Sequence, residues 1–109
     1  MAPEGADPAK DRIKVRMVNH VDLKHQLLDF ALVHQTFYRG RWRDVTMADS
    51  AHDDEVHLHR YGRSPDREIE NTEHVCPITC QGDVESGYDV AYDRVVTNWQ
   101  ANKQRWHDA

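Results

Sequence analysis

The chain has 109 residues, 39% of them hydrophobic and 30% charged, which suits one domain with a modest core. Its formal net charge of −5 argues against a generally basic nucleic-acid-binding protein, although a local basic site remains compatible with it. No apolar run approaches the roughly 20 residues that span a bilayer, and the N-terminus lacks the apolar segment of a signal peptide, so we predict a cytoplasmic protein with no membrane association.

The first elements of the chain are predicted to be a tail and strands. Residues 1–12 are rich in Pro, Gly, Ala and Asp, which predicts a flexible tail ahead of a single α+β domain over residues 13–109. Residues 13–17 alternate between apolar and polar types and allow a short first strand. Residues 28–38 are rich in aromatic and β-branched side chains and predict a clear strand.

A hairpin and a third strand follow. Arg39 and Gly40 predict a tight turn into a strand over residues 41–47, because glycine adopts positive φ without strain. Residues 55–61 alternate cleanly, with Val56 and Leu58 on one face and the intervening histidines on the other. These strands predict an antiparallel meander.

The C-terminal half predicts a helical layer. Pro77 limits residues 75–79 to an edge strand or a loop. From Asp83, a plausible N-cap, apolar residues recur at intervals of three or four as far as Trp106. The predicted fold is α+β: an antiparallel β-meander of three or four strands packed against one long C-terminal helix.

Polar residues capable of chemistry concentrate between positions 49 and 59. The members are Asp49, His52, His57 and His59. The two strand histidines would form a proton-transfer pair, with the other two residues orienting them. Alternatively, His52, His57 and His59 would bind a divalent metal such as zinc. The simplest alternative is a solvated strand face without chemistry. His34 joins this group only if the hairpin register pairs it suitably: a two-residue loop pairs it with Val45, a three-residue loop with Thr46.

Arginines provide a candidate phosphate-binding set. Arg41, Arg43 and Arg60 would hold a phosphate of RNA, and Trp42 would stack on a base. A charged hairpin that merely resists aggregation is the alternative.

Two further features have open interpretations. His74, Cys76 and Cys80 would either form a zinc site or be a loop with two free thiols. The aromatic stripe of the C-terminal helix would pack on the sheet, and any surplus would bind a second copy or a cognate protein.

Residues 28–61 carry a resemblance to known proteins. The pattern Gly40-Arg41-Trp42-Arg43-Asp44-Val45, followed by Asp49-Ser50-Ala51-His52 and His57-Leu58-His59, resembles small uncharacterised bacterial proteins. Some of these are linked with toxin–antitoxin gene pairs. The resemblance implies a β-meander and a toxin-like role centred on Asp49, His52, His57 and His59.

The leading functional hypothesis is therefore a ribonuclease-like toxin component. Its rivals are a non-catalytic antitoxin or accessory protein that dimerises through the C-terminal helix, and a small zinc-stabilised module.

Overall fold

A computed structural model describes residues 1–20, 26–50, 55–63, 73–77 and 81–109, with the backbone alone for 17–20, 26–28, 76–77 and 81–84. The described chain forms a sheet and a helical layer, which confirms the α+β class. Its elements are β1 (Asp11–His20), β2 (Gln26–Tyr38), β3 (Arg41–Asp49), β4 (Glu55–Arg60), β5 (Glu73–Pro77), α1 (Gln81–Tyr92), a π-helical segment (Asp93–Thr97) and α2 (Trp99–Asp108).

The strands of the described chain form one sheet in the order β1-β2-β3-β4-β5, with every neighbouring pair antiparallel. The prediction of three or four strands is wrong, because residues 73–77 add a fifth. This strand is short and pairs only with β4. Pro77 ends it, in keeping with an edge position, where a missing N–H breaks no ladder. Its polar, short sequence gave too weak a strand signal.

The β2–β3 hairpin settles the register around His34. Arg39 and Gly40 have φ values of 50° and 85°, so both turn residues lie in the left-handed region that a tight two-residue hairpin turn requires. Tyr38 therefore pairs with Arg41, but a bulge between His34 and Gln35 shifts the pairing so that His34 faces Thr46. The hairpin loop therefore has two residues, and the bulge gives His34 the partner, Thr46, that a three-residue loop would have given it.

The predicted single long C-terminal helix is wrong. After α1, residues Asp93–Thr97 form a π-helical turn, in which the N–H of Asn98 donates to the carbonyl of Asp93 at 3.1 Å. Asn98 then leaves helical geometry, with φ −93° and ψ 24°, before α2 begins. Val95, Val96 and Thr97 are β-branched, and asparagine follows them. Residues of these types have a low helix propensity, so they stabilise a regular α-helix poorly at this point. The wider turn lets adjacent Val95 and Val96 both be buried.

The hydrophobic core lies between the sheet and the helical layer. Tyr88 of α1 packs edge-on against Phe30, with ring centroids 5.2 Å apart. Trp106 of α2 is 1% exposed and packs edge-on against Tyr38 at 5.4 Å. No helix in the described ranges is both long and apolar enough to cross a membrane. The buried cluster comprises Ile13, Phe30, Leu32, Ala48, Val56, Leu58, Ala91, Val95 and Val96.

The segment predicted as a tail contacts the domain at several points. Met1 accepts a hydrogen bond at its carbonyl from the N–H of Ile13 at 2.6 Å, and Pro3 is buried. The indole N–H of Trp99 donates to the carbonyl of Glu4 at 2.9 Å. Residues 11 and 12 belong to β1, so the sheet begins inside this segment.

Candidate metal centre

Strand alternation in β4 separates its apolar and polar side chains. Val56 and Leu58 belong to the core beneath the helices. His57 and His59 consequently lie on the opposite side of the sheet, here called the distal face. Their ring centroids are 6.3 Å apart, with the rings nearly perpendicular. The structure therefore places both imidazoles on one face of β4, the arrangement that the sequence alternation predicts.

Asp49 is brought to these histidines by strand pairing. It is the last residue of β3 and lies directly opposite His57 in the β3–β4 register. One carboxylate oxygen, Oδ2, is 4.0 Å from Nε2 of His59. The ligand atoms of Asp49, His57 and His59 all lie within 4.8 Å of one another. These three residues are called the inner set below.

A second group of ligands shares His57. His74, on β5, lies opposite His57 in the β4–β5 register, and the two ring centroids are 4.9 Å apart. Glu55 contacts Nδ1 of His74 closely through Oε2, and the same oxygen is 3.4 Å from Nε2 of His57. The ligand atoms of Glu55, His57 and His74 also lie within 4.8 Å of one another. These three residues are called the edge set.

His57 is far more buried than a solvated strand face would predict. Its exposed fraction is 8%, although it points away from the core. Its Nε2 is buried and makes no hydrogen bond of normal geometry within the described chain, since its contact with Oε2 of Glu55 is 3.4 Å long. Oδ1 of Asp49 is likewise buried without a hydrogen bond there. Buried polar atoms without partners are costly, by about 1–3 kcal/mol each. A cation between them would satisfy both atoms.

The donor chemistry fits a divalent transition metal. Imidazole nitrogen with carboxylate oxygen is the ligand set that zinc and its neighbours in the first transition row accept. The hydrogen bond with His74 lowers the pKa of Glu55 below its usual value. Glu55 is therefore ionised at neutral pH, as a metal-binding carboxylate must be.

Sequence reasoning missed the edge set. Glu55 was only the first residue of a strand, and His74 was grouped with Cys76 and Cys80 instead. Nothing local to residue 74 announces that β5 pairs with β4, so its proximity to His57 follows from the sheet alone. Cys80 lies outside the described residues, as does His52. For Cys76 only the backbone is described.

The predicted phosphate-binding arginines are not brought to the histidines. Arg43 is buried under α2, where it donates to the carbonyl of Arg63 and lies 5.8 Å from the ring of Trp106. Arg60 pairs with buried Thr46 and donates to Oε2 of Glu73 at 2.5 Å. Both therefore occupy the helix-covered side of the sheet.

Two other predicted residues also lie apart from the centre. Arg41 is exposed at the end of the hairpin. His34 is completely buried on the helix-covered side, where its Nε2 lies 3.0 Å from Oδ1 of Asp11 and its ring packs edge-on against Trp99 at 6.1 Å. His34 therefore does not join the histidines of β4.

Comparison of the chain with protein-family models, with curated proteins and with solved structures finds no match. The proposed function therefore rests on the geometry of the distal face.

Proposed function

We propose that this protein binds one divalent transition-metal ion of the zinc class on the distal face of the sheet, with His57 as the central ligand. The observation that carries the proposal is the buried Nε2 of His57, which makes no hydrogen bond of normal geometry within the described chain and belongs to two ligand sets. One imidazole nitrogen coordinates one ion, so the two sets compete for a single metal and do not hold two.

Either set would supply three protein ligands. That number leaves a fourth position of a tetrahedral zinc ion for water, which is the arrangement of catalytic zinc sites. A bound ion of this kind supplies Lewis acidity and a nucleophilic hydroxide near neutral pH. The ion would also cross-link β4 to β3 through Asp49, or β4 to the short edge strand β5 through His74. The zinc-binding module inferred from the sequence thus remains a proposal, but its ligands are those of the inner or the edge set and not His52, His57 and His59.

The test is a metal titration of the full chain. We expect the apoprotein to bind Zn²⁺ at a 1:1 ratio in calorimetry and Co²⁺ with the visible absorption of a low-symmetry site. The Asp49→Asn and His59→Gln variants keep side-chain shape approximately, and the His57→Ala variant removes the shared ligand. His107→Ala is the matched control, because His107 is an exposed histidine on α2, away from the distal face. Unchanged affinity in His57→Ala would overturn the proposal.

A ribonuclease-like role is the second candidate. It is supported by the resemblance described above and by the neighbouring imidazoles of His57 and His59 on one face. A neutral and a protonated imidazole at this spacing suit proton donation and acceptance on a phosphodiester. Cleavage of RNA by the purified chain, measured with and without chelator, tests it. Retained cleavage in the His57→Ala/His59→Ala double variant would contradict it.

The non-catalytic, dimerising protein is a third candidate. Exposed Val90 and Tyr92 on α1 support it, since each remains more than a third exposed, at 38% and 39%. The two C-terminal tryptophans support it less, because Trp106 is buried and Trp99 packs beside His34 within the chain. Light scattering of the eluting protein measures the oligomeric state, and a monomer at all concentrations would contradict this role.

A further inference from the structure

Strand pairing aligns the side chains of the distal face in rows that run from β1 to β4. One row consists of Arg16, Ala31, Asp49 and His57. The next row consists of Lys14, Val33, Met47 and His59. The cations of β1 share this face because Ile13, between them and the strand start, belongs to the core on the other side. Each row therefore begins with a cation on β1 and ends at the candidate metal centre.

The middle of both rows is apolar. Ala31 and Val33 on β2 and Met47 on β3 are half-buried, so part of each side chain remains in contact with solvent. These three residues are called the apolar floor below. Apolar surface that a ligand removes from water contributes about 25 cal/mol per Å². The floor therefore favours a ligand with an apolar body over one that is polar throughout.

The cations at the start of the rows are free to hold an anion. Lys14 and Arg16 are exposed and form no ion pair within the described part of the chain. They lie two residues apart on one strand, about 7 Å along it. Arg12 of the same face is different, because its Nε donates to Oε1 of Gln35 at 2.8 Å and its guanidinium lies 4.1 Å from the ring centroid of Trp42.

The metal centre meets the floor through the inner set. Asp49 lies beside Ala31 and His59 beside Met47 in the strand register. The side chains of Asp49 and His59 are 15% and 18% exposed, more than His57 at 10%. A carboxylate is an accepted ligand of zinc, so an anionic end of a ligand can take the fourth position of an ion bound by the inner set. The strands β1 and β4 are three strand spacings apart, about 14 Å.

We propose that the distal face binds a small, elongated organic molecule with an anionic group at each end and an apolar body between them. One end pairs with Lys14 and Arg16, the body lies on the apolar floor, and the other end coordinates the metal ion of the inner set. The inference rests on the proposed function, because it names the ligand class of that metal site.

The experiment titrates the zinc-loaded full chain, freed of excess metal, with straight-chain dicarboxylates from butanedioate to decanedioate in calorimetry. Monocarboxylates of the same chain length are the reference ligands. We expect affinity to pass through a maximum along the dicarboxylate series. At that length the dicarboxylate should bind about tenfold more tightly than its monocarboxylate, equivalent to about 1.4 kcal/mol. Equal affinity of the two would mean that the cations of β1 only protect an edge strand, and the proposal would fail.

Charge variants locate the second anionic end. Lys14→Gln/Arg16→Gln should abolish the advantage of the dicarboxylate and leave the affinity for Zn²⁺ unchanged. Lys10→Gln/Arg39→Gln is the matched control, because it removes the same charge from two exposed residues outside both rows. Equal loss of the advantage in both double variants would show unspecific attraction and overturn the proposal.

A floor variant tests the position of the body. Val33→Thr keeps the shape of the side chain and adds a hydroxyl, so it should weaken binding of the longer dicarboxylates and change butanedioate binding little. Unchanged binding of the whole series in Val33→Thr would contradict contact with the floor and overturn the proposal.

The zinc titration separates the two proposals. If the chain binds no Zn²⁺, the proposed function fails and this inference fails with it. If Zn²⁺ binds as proposed but dicarboxylates show no advantage, this inference alone fails. A short RNA that displaces octanedioate, and does so only when Lys14 and Arg16 are present, would overturn the small ligand in favour of a nucleic-acid contact.

Discussion

Asp11 and His34 form a buried pair that links the first two strands, with Oδ1 of Asp11 lying 3.0 Å from Nε2 of His34. The exposed fractions of the two side chains are 2% and 0%. Lys103 of α2 reaches the second oxygen of Asp11 at 2.8 Å, so the same carboxylate connects the sheet to the helical layer. This arrangement leads to two predictions about stability.

The first prediction concerns pH. Burial lowers the pKa of His34 despite the raising effect of Asp11, so the folded protein holds this histidine neutral. Above about pH 6.5, the ordinary histidine pKa, both states are neutral there and His34 adds no pH dependence. Below that value the unfolded chain binds a proton that the folded chain resists, so the free energy of unfolding should fall as pH falls towards the lowered pKa.

Urea unfolding at pH 7.5 and pH 5.5 measures this effect. The difference between the two pH values should shrink in His34→Gln, which fills the site without titrating. If the free energy of unfolding differs as much between the two pH values in His34→Gln as in the unmodified protein, the acid sensitivity comes from other histidines.

The second prediction concerns Lys103. Replacing it with methionine keeps most of the side-chain volume and leaves the buried carboxylate of Asp11 with one partner fewer. Removal of one member of a fully buried pair costs about 3–5 kcal/mol, and the 31% exposure of the Lys103 side chain reduces the expected loss to roughly 1–2 kcal/mol. Chemical unfolding measures the loss. Lys14→Met, an exposed lysine on β1, is the control and should change stability by less than about 0.5 kcal/mol.

The third prediction distinguishes the two ligand sets of the candidate metal centre. Because His57 belongs to both, a bound ion would occupy either the inner set with Asp49 or the edge set with Glu55. Asp49→Asn should lower Zn²⁺ affinity by more than the roughly 10- to 100-fold typical of losing an outer-shell partner if the inner set is used. Glu55→Gln should do so if the edge set is used. Calorimetric titration of both variants gives the answer, and equal, slight losses in both would contradict a three-ligand site.

The fourth prediction concerns the β2–β3 turn. Gly40 has φ of 85°, and apart from its two chain neighbours no atom of the described residues lies within 4 Å of the position that a Cβ would take, so backbone strain is what opposes a side chain there. Gly40→Ala should therefore cost about 1–2 kcal/mol. Gly40→Asn should cost less, because asparagine tolerates the left-handed region better. Thermal or urea unfolding of the pair measures the difference. A larger loss in the asparagine variant would mean that contacts, and not strain, dominate.

The sequence determined the features that depend on neighbours along the chain. Alternation in residues 55–61 placed the imidazoles of His57 and His59 together, and Arg39-Gly40 marked the hairpin turn. Pro77 limited residues 75–79 to an edge strand or a loop, and residues 73–77 form the strand β5, which pairs with β4. Each of these follows from the two-residue period of a strand or from the backbone preference of one residue, so no distant contact was needed.

The tertiary structure decided the features that join distant segments. The pairing of β5 with β4 brought His74 and its carboxylate partner to His57. A π-helical turn at Asp93–Thr97, in which Val95 and Val96 are buried, stands where the sequence predicted one continuous helix. The β-bulge beside His34 pairs this residue with Thr46 on the helix-covered side of the sheet, where its side chain is buried against Asp11. Local periodicity places a side chain on a face of its own strand, but which residue lies opposite depends on strand order, register and burial, which only the folded chain determines.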